Sequence, residues 1–192
     1  MTRLPRSFFA RNTARVAKEM LGAILVSRHD DELLRGRVVE VEAYYGEDDP
    51  PSHASSGKTG RSRIMWEEPG ISYVYLIYGI HLMFNAVTEL AGKPGAVLVR
   101  AVEPLEGLRV MRENRNRSSP VELASGPGKL TEAFGIGREA NGEDLINSEK
   151  LWFEEGKVYG DNHIESSGRI GVSRDVKEPL RFYLPDNRFV SG

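Results

Sequence analysis

Glu40, Glu42 and Tyr44, spaced by two in GRVVEVEAYYG, are the residues of this 192-residue chain best placed to do chemistry. At the two-residue period of a β-strand, Val39, Val41 and Ala43 form an apolar face to be packed, while Glu40, Glu42 and Tyr44 share the other. The carboxylates then look either into water or into a cleft. In a cleft, Tyr44 can stack on a flat substrate while Glu42 deprotonates water or balances developing positive charge. A solvated acidic face on an amphipathic strand explains the same pattern, and the segment alone leaves the two readings open. Two carboxylates roughly 7 Å apart along a strand also fit the separation used by inverting glycoside hydrolases. A sugar pocket of that kind should carry more Trp and Asp than this chain does.

Further polar and aromatic groups follow at intervals. His53 lies in PPSHASSGKTGRSRIMW, Tyr73, Tyr75 and Tyr78 in YVYLIYG, Asn85 in HLMFNAV and Arg100 in GAVLVRAVEPLEG. With LPRSFFARNT near the start, SGPGKL at 125–130, and RIGV and PLRFYLPDN near the end, this ordered series resembles the alkyladenine (3-methyladenine) DNA glycosylase family over nearly the whole chain.

The resemblance implies an α+β fold: a single compact domain over residues 1–192 with a curved, mainly antiparallel β-sheet flanked by short α-helices. It also implies hydrolysis of damaged purines, alkylated or deaminated, from duplex DNA. Such chemistry passes through an oxocarbenium-like sugar, where a carboxylate beside C1′ both offsets positive charge and activates water. The matched residues are Glu42 for that role and Arg100 to orient the water or the sugar phosphate. The base must leave the stack to be reached. The resemblance casts Tyr78 as the wedge filling the gap, Tyr44 and Tyr75 as a sandwich for the flipped base, and His53 as a donor closing the pocket. Asn85 matches the asparagine that restricts guanine through its exocyclic amino group, and Glu40 is expected to be structural. Double-stranded DNA bearing a damaged purine is the implied partner, and a monomer without nucleotide cofactor is expected. A noncatalytic binder of damaged DNA is the main alternative.

Charge bears on DNA binding, which draws affinity from Lys and Arg on phosphates. The net charge of -2 argues mildly against it, but Lys58, Arg61 and Arg63 cluster in one loop, and Lys129 follows the glycine-rich turn of GPGK. Arg61, Arg63 and Lys129 are therefore phosphate-binding candidates. Arg109, Arg112 and Arg115 recur every three residues along one side of an expected helix, where a solvated face is equally good.

These groups need a scaffold. Residues 12–20 read as a helix capped by Asn12 or Thr13 and burying Val16 and Met20. AILVSR, the Glu42 segment, YVYLIYGIHLMFNAV, AVLVRAV, LWFEEG, SGRIGV and PLRFYLP read as strands. Pro104 and Pro127 signal two later helices at their first helical positions, the second burying Leu130 and Phe134 and stopping near Gly135. PPSHASSGKTGRSR is a polar loop. The chain has no cysteine, which excludes disulfides and thiolate sites. No HExxH or comparable ligand spacing is present, so no metal and no other cofactor is expected. No signal-peptide core or membrane-length apolar run is seen, and a cytoplasmic protein acting at the nucleoid is expected. Strand cleavage after base loss would need an amine nucleophile. Lys129 and the N-terminus are available in principle, but nothing places either at C1′.

Overall fold

The computed structural model describes residues 2–191. Among them, eight strands and five short helices build an α+β fold. The strands are β1 (Ile24–His29), β2 (Glu32–Tyr44), β3 (Ser72–Ile77), β4 (His81–Val87), β5 (Ala96–Glu106), β6 (Leu151–Glu154), β7 (Glu165–Ser167) and β8 (Arg181–Tyr183). They form one open antiparallel sheet in the order β3-β4-β5-β2-β1-β6, with β8 pairing with both β2 and β7. The long strand β2 is central. Its first half pairs with β1, residues Glu40–Glu42 pair with β8, and β5 runs along its opposite edge.

Alternation along the strands divides the sheet into two faces. Val39, Val41 and Ala43 of β2, Val74 of β3, Phe84 and Ala86 of β4, and Val97 and Val99 of β5 belong to the main core. Over that core lie α1 (Arg6–Phe9), α2 (Thr13–Met20), α3 (Leu108–Arg115), α4 (Pro120–Ala124) and α5 (Pro127–Ala133). The alternate positions, Tyr44, Tyr73, Tyr75, Val87 and Ala96, gather in a second, smaller cluster with Ala54 and Met65. Ala54 and Met65 come from two 3-10 turns, His53–Ser56 and Arg63–Trp66. Helices therefore cover one face, and the polar loop covers part of the other.

Most expected elements form where their patterns place them. The Asn12 side chain accepts the Arg15 N–H at the start of α2, and Val16 and Met20 are fully buried. In α5, Pro127 opens the helix, Leu130 and Phe134 are buried, and Gly135 adopts φ 63° just past the end. Pro104 is a correction. It opens no helix but lies within β5, paired with Gly36 where the β2–β5 register steps. An irregular ladder tolerates a residue with no N–H to donate, and α3 begins only at Leu108, after Gly107 turns the chain at φ 77°. SGRIGV is a second correction. Strand β7 stops at Ser167, and the next residues turn so that the Arg169 side chain points inward, with Gly171 at φ 77°. No helix among the described residues is long and apolar enough to cross a membrane.

Candidate active site

The polar face of β2 carries both glutamates, and each is fully buried. Register between β2 and β5 steps out between Val38 and Glu40 and returns between Glu40 and Val41, so regular pairing is lost opposite Arg100. Such irregularities re-aim side chains. Here the Arg100 guanidinium spans both carboxylates, with Nε 3.0 Å from Glu40 Oε1 and Nη1 3.2 Å from Glu42 Oε1.

The two glutamates are held differently. Glu40 Oε1 accepts from Arg100 Nε, from Arg181 Nε at 2.7 Å and from the Ser191 hydroxyl at 2.9 Å, while Oε2 accepts the Ser191 N–H at 2.7 Å. That carboxylate has four donors and no acceptor position to spare. Glu42 Oε1 accepts the Ile170 N–H at 2.8 Å beside its Arg100 contact, and Oε2 accepts the Tyr44 hydroxyl at 2.8 Å. A carboxylate offers about four acceptor positions. Glu42 therefore keeps one on Oε2, the oxygen tied to Tyr44.

Tyr44, His53, Tyr73, Tyr75, Asn85 and Met65 surround a small cavity of about 20 Å³, room for about one water molecule. The structure thus brings the four expected base-binding residues together, with Tyr44 linking the cavity to Glu42. The His53 ring stands edge-on to Tyr75 at 4.4 Å between centroids, and its Nδ1 lies 2.7 Å from the Tyr73 hydroxyl. Burial, and next the Arg61 charge, hold the His53 imidazole below its ordinary value. Burial pushes the Tyr73 hydroxyl up to about 12, and it raises Tyr75 and, with help from the Glu42 charge, Tyr44 further still. All three hydroxyls therefore keep their protons at neutral pH. Asn85 is buried, and its amide donates to the Tyr73 carbonyl at 3.1 Å across the β3–β4 ladder.

Tyr78 and the phosphate candidates sit outside this cavity. Tyr78 is 82% exposed at the tip of the β3–β4 hairpin, with φ 52°, followed by Gly79 at φ 74°. The strand ends at Ile77, so the turn and not strand alternation aims Tyr78 outward. Ile80, 73% exposed on the same tip, went unnoticed in the sequence because a lone isoleucine beside a strand reads as core. Arg61 is exposed, with its guanidinium 5.3 Å from the Tyr75 ring and donating to the Leu76 carbonyl at 2.6 Å. Arg61, Arg63 and Lys58 line one groove of about 650 Å³, shared with Glu67 and Glu68. Lys129 is in the first turn of α5, which packs against β4 below the hairpin. Arg109 is paired with Glu32 and with Glu113 at 2.7 Å, and Arg115 with Glu132. Among the described residues, no group of three or more His, Asp or Glu side chains is gathered as metal ligands would be. The N-terminal amine, at Met1, lies outside the described residues.

Arg169 is the residue that motif reading missed. Its side chain is fully buried, forks onto Asp49 with 2.8 and 2.6 Å bonds, and reaches Asp175 at 2.6 Å. Its guanidinium also lies 4.6 Å from the Tyr44 ring centroid. The RIGV block was the available signal, but only as a block.

Comparison with known proteins agrees with this geometry. Residues 7–188 match the family described as methylpurine-DNA glycosylase (MPG). A relative from Chlorobium phaeobacteroides is 45% identical, with 98% of this chain and 96% of the relative aligned. One from Salinibacter ruber is 46% identical over 100% of this chain and 97% of its own length. One from Methanoculleus marisnigri is 42% identical over 98% of both chains. All three are provisionally named 3-methyladenine DNA glycosylases. Matched along nearly its whole length, with the aromatic cavity and paired glutamates folded as one unit, the chain belongs to the methylpurine-DNA glycosylase family.

Proposed function

We propose that this DNA glycosylase flips a damaged purine, alkylated or deaminated, out of duplex DNA and hydrolyses its N-glycosidic bond with a water activated by Glu42. The products are free base and an abasic site in an unbroken strand. The observation that carries this reading is the Glu42 carboxylate, buried and held by Ile170, Tyr44 and Arg100, with one acceptor position left on the oxygen that Tyr44 links to an aromatic cavity. That position suits a water attacking C1′ of a nucleotide whose base lies between Tyr44 and Tyr75.

The remaining parts follow from their chemistry. Stacking on tyrosine contributes about 1 to 3 kcal/mol per base and tolerates different bases, which suits a range of lesions. With Tyr73 donating to Nδ1, His53 carries its proton on Nε2 and offers it to the base. Asn85, pinned to the β3 backbone, does not yield to a purine 2-amino group, and guanine is excluded. Tyr78 fills the stack from its exposed tip, while Arg61, Arg63 and Lys129 meet phosphates. At about 20 Å³ the cavity is too small for a purine, so the His53 turn withdraws as the base enters. Arg100 holds the Glu42 oxygen that does not touch the water.

Local charge supports the same direction of catalysis. Glu40, Glu42, Asp49 and Asp175 face Arg100, Arg169 and Arg181 in linked ion pairs, all buried or mostly buried. Glu40 and Glu42 are balanced by Arg100 and Arg181, and Asp49 and Asp175 outnumber Arg169, so no cation beside Glu42 is left unpaired to oppose an oxocarbenium-like sugar or an alkylated, cationic purine.

Single-turnover excision from a duplex carrying one hypoxanthine or one 3-methyladenine tests the proposal. Free base released from an unbroken strand is the expected result. Tight lesion binding without base release identifies a noncatalytic damage binder and overturns the hydrolytic reading.

A further inference from the structure

Three segments meet at Arg169, and each carries a group of the candidate site. The first is the end of β2, where Nη1 donates to the Ala43 carbonyl at 3.0 Å, between Glu42 and Tyr44. The second is the segment leading to His53, reached through the Asp49 fork. Asp49 itself accepts the Tyr45 N–H at 2.8 Å and, through its carbonyl, the Ser52 N–H at 2.8 Å. The third is the loop carrying Arg169 itself, tied by Asp175 to its Nε at 3.0 Å and its backbone N–H at 2.8 Å. The next residue in that loop, Ile170, gives its N–H to Glu42.

A lone guanidinium at 0% side-chain exposure between two carboxylates is expensive to build. Replacing such clusters with apolar residues is often neutral or stabilising, so stability alone is a weak reason for it. A planar fork does offer direction: five N–H donors at fixed angles hold Asp49, Asp175 and Ala43 at once, and its flat face backs the Tyr44 ring. Lysine has the charge but neither the fork nor the plane.

We propose that Arg169 is a positioning residue for the hydrolytic site: it sets the Ile170 N–H on Glu42 and the plane of Tyr44 together, without touching the substrate. This rests on the proposed role of Glu42. Arg169 thereby fixes which Glu42 oxygen is occupied and which remains for water, and it supports Tyr44 from the side away from the base.

The test uses full-length Arg169→Lys, with Asp175→Asn as the milder variant that keeps the Asp49 fork. At saturating enzyme, the single-turnover rate constant on a hypoxanthine duplex is expected to fall at least tenfold in Arg169→Lys and at least threefold in Asp175→Asn. The Kd for the same duplex stays within threefold in both. Independently of turnover, amide hydrogen exchange at Ile170 is expected to rise at least tenfold in Arg169→Lys, because its bond to Glu42 is loosened. Folded variants with a wild-type rate constant and wild-type Ile170 exchange would overturn the proposal and leave Arg169 as packing alone. Where Arg169→Lys does not fold, Asp175→Asn decides on the same readouts. A wild-type protein that releases no base refutes the hydrolytic reading instead, and the Ile170 exchange still reports whether Arg169 sets that amide.

Discussion

Replacing Glu42 with Gln removes one charge from the site and little else. The amide keeps a carbonyl oxygen for the Ile170 N–H, and its NH2 group meets Tyr44, whose hydroxyl can turn from donor to acceptor. Arg100 faces a neutral oxygen at its 3.2 Å contact and keeps Glu40 at 3.0 Å, so no guanidinium is stranded. Weakening one charged contact of this kind costs about 1 to 3 kcal/mol, and in a chain of this size each kcal/mol moves Tm by about 2 to 4 °C. The variant should therefore fold and melt about 2 to 12 °C lower. Its catalytic loss should be far larger. A carboxylate roughly 4 Å from a developing cation contributes about 4 kcal/mol at an effective dielectric near 20, close to a factor of a thousand, and a positioned base contributes about 10² to 10⁴. These are two views of one group and do not add. A drop of at least about a hundredfold in single-turnover excision of hypoxanthine is expected, with duplex affinity within threefold of wild type. A folded Glu42→Gln protein excising within about threefold of wild type refutes both the base role and the charge argument.

Three further outcomes follow from neighbouring residues. Tyr78→Gly relieves a non-glycine φ of 52°, so stability should stay within about 1 kcal/mol of wild type while lesion-duplex affinity drops at least tenfold; unchanged affinity refutes the wedge. Asn85→Ala should raise excision of mismatched guanine at least threefold, at a cost of about 1 kcal/mol for the lost side-chain hydrogen bond to the Tyr73 carbonyl, and no gain on guanine contradicts the exclusion role. Burial, then Arg61, lowers the His53 pKa in the folded protein, so between its unfolded value near 6.5 and the folded value the unfolded chain binds more protons. Stability should then fall as pH drops through that window. A His53→Asn variant whose urea midpoint follows pH from 7.5 to 5 as steeply as wild type removes His53 from that dependence.

The faces of the sheet were readable because strand period alone separates Val39, Val41 and Ala43 from Glu40, Glu42 and Tyr44, and the fold uses both sets. The individual roles of Glu42, His53 and Asn85 were not in the period; they came from resemblance, and spatial proximity across β2, β3 and β4 is invisible to local pattern. Pro104 was misread because a proline at a helix start and one in an irregular ladder look alike until the partner strand, here Gly36, is known. Arg169 was hidden for a related reason. An arginine is buried only when carboxylates come to it, and Asp49 lies 120 residues away in sequence.

Three arginines beside a site proposed to favour positive charge pose a conflict that their placement resolves. Arg100 shares itself between Glu40 and Glu42, Arg181 is committed to Glu40, and Arg169 to Asp49 and Asp175. Every guanidinium is thus anchored on a carboxylate other than Glu42, and Glu42 receives only the more distant arm of Arg100. Carboxylates buried without such partners would take up protons or force the strands apart. The arginines let two acids be packed on the central strand and two more in the loops beside it, while leaving Glu42 the least closely paired. On the proposed mechanism, that residue is the one beside the breaking bond, and the broken register at Arg100 is what lets a single side chain reach both glutamates. The acid chemistry and the backbone irregularity are then one feature of the fold.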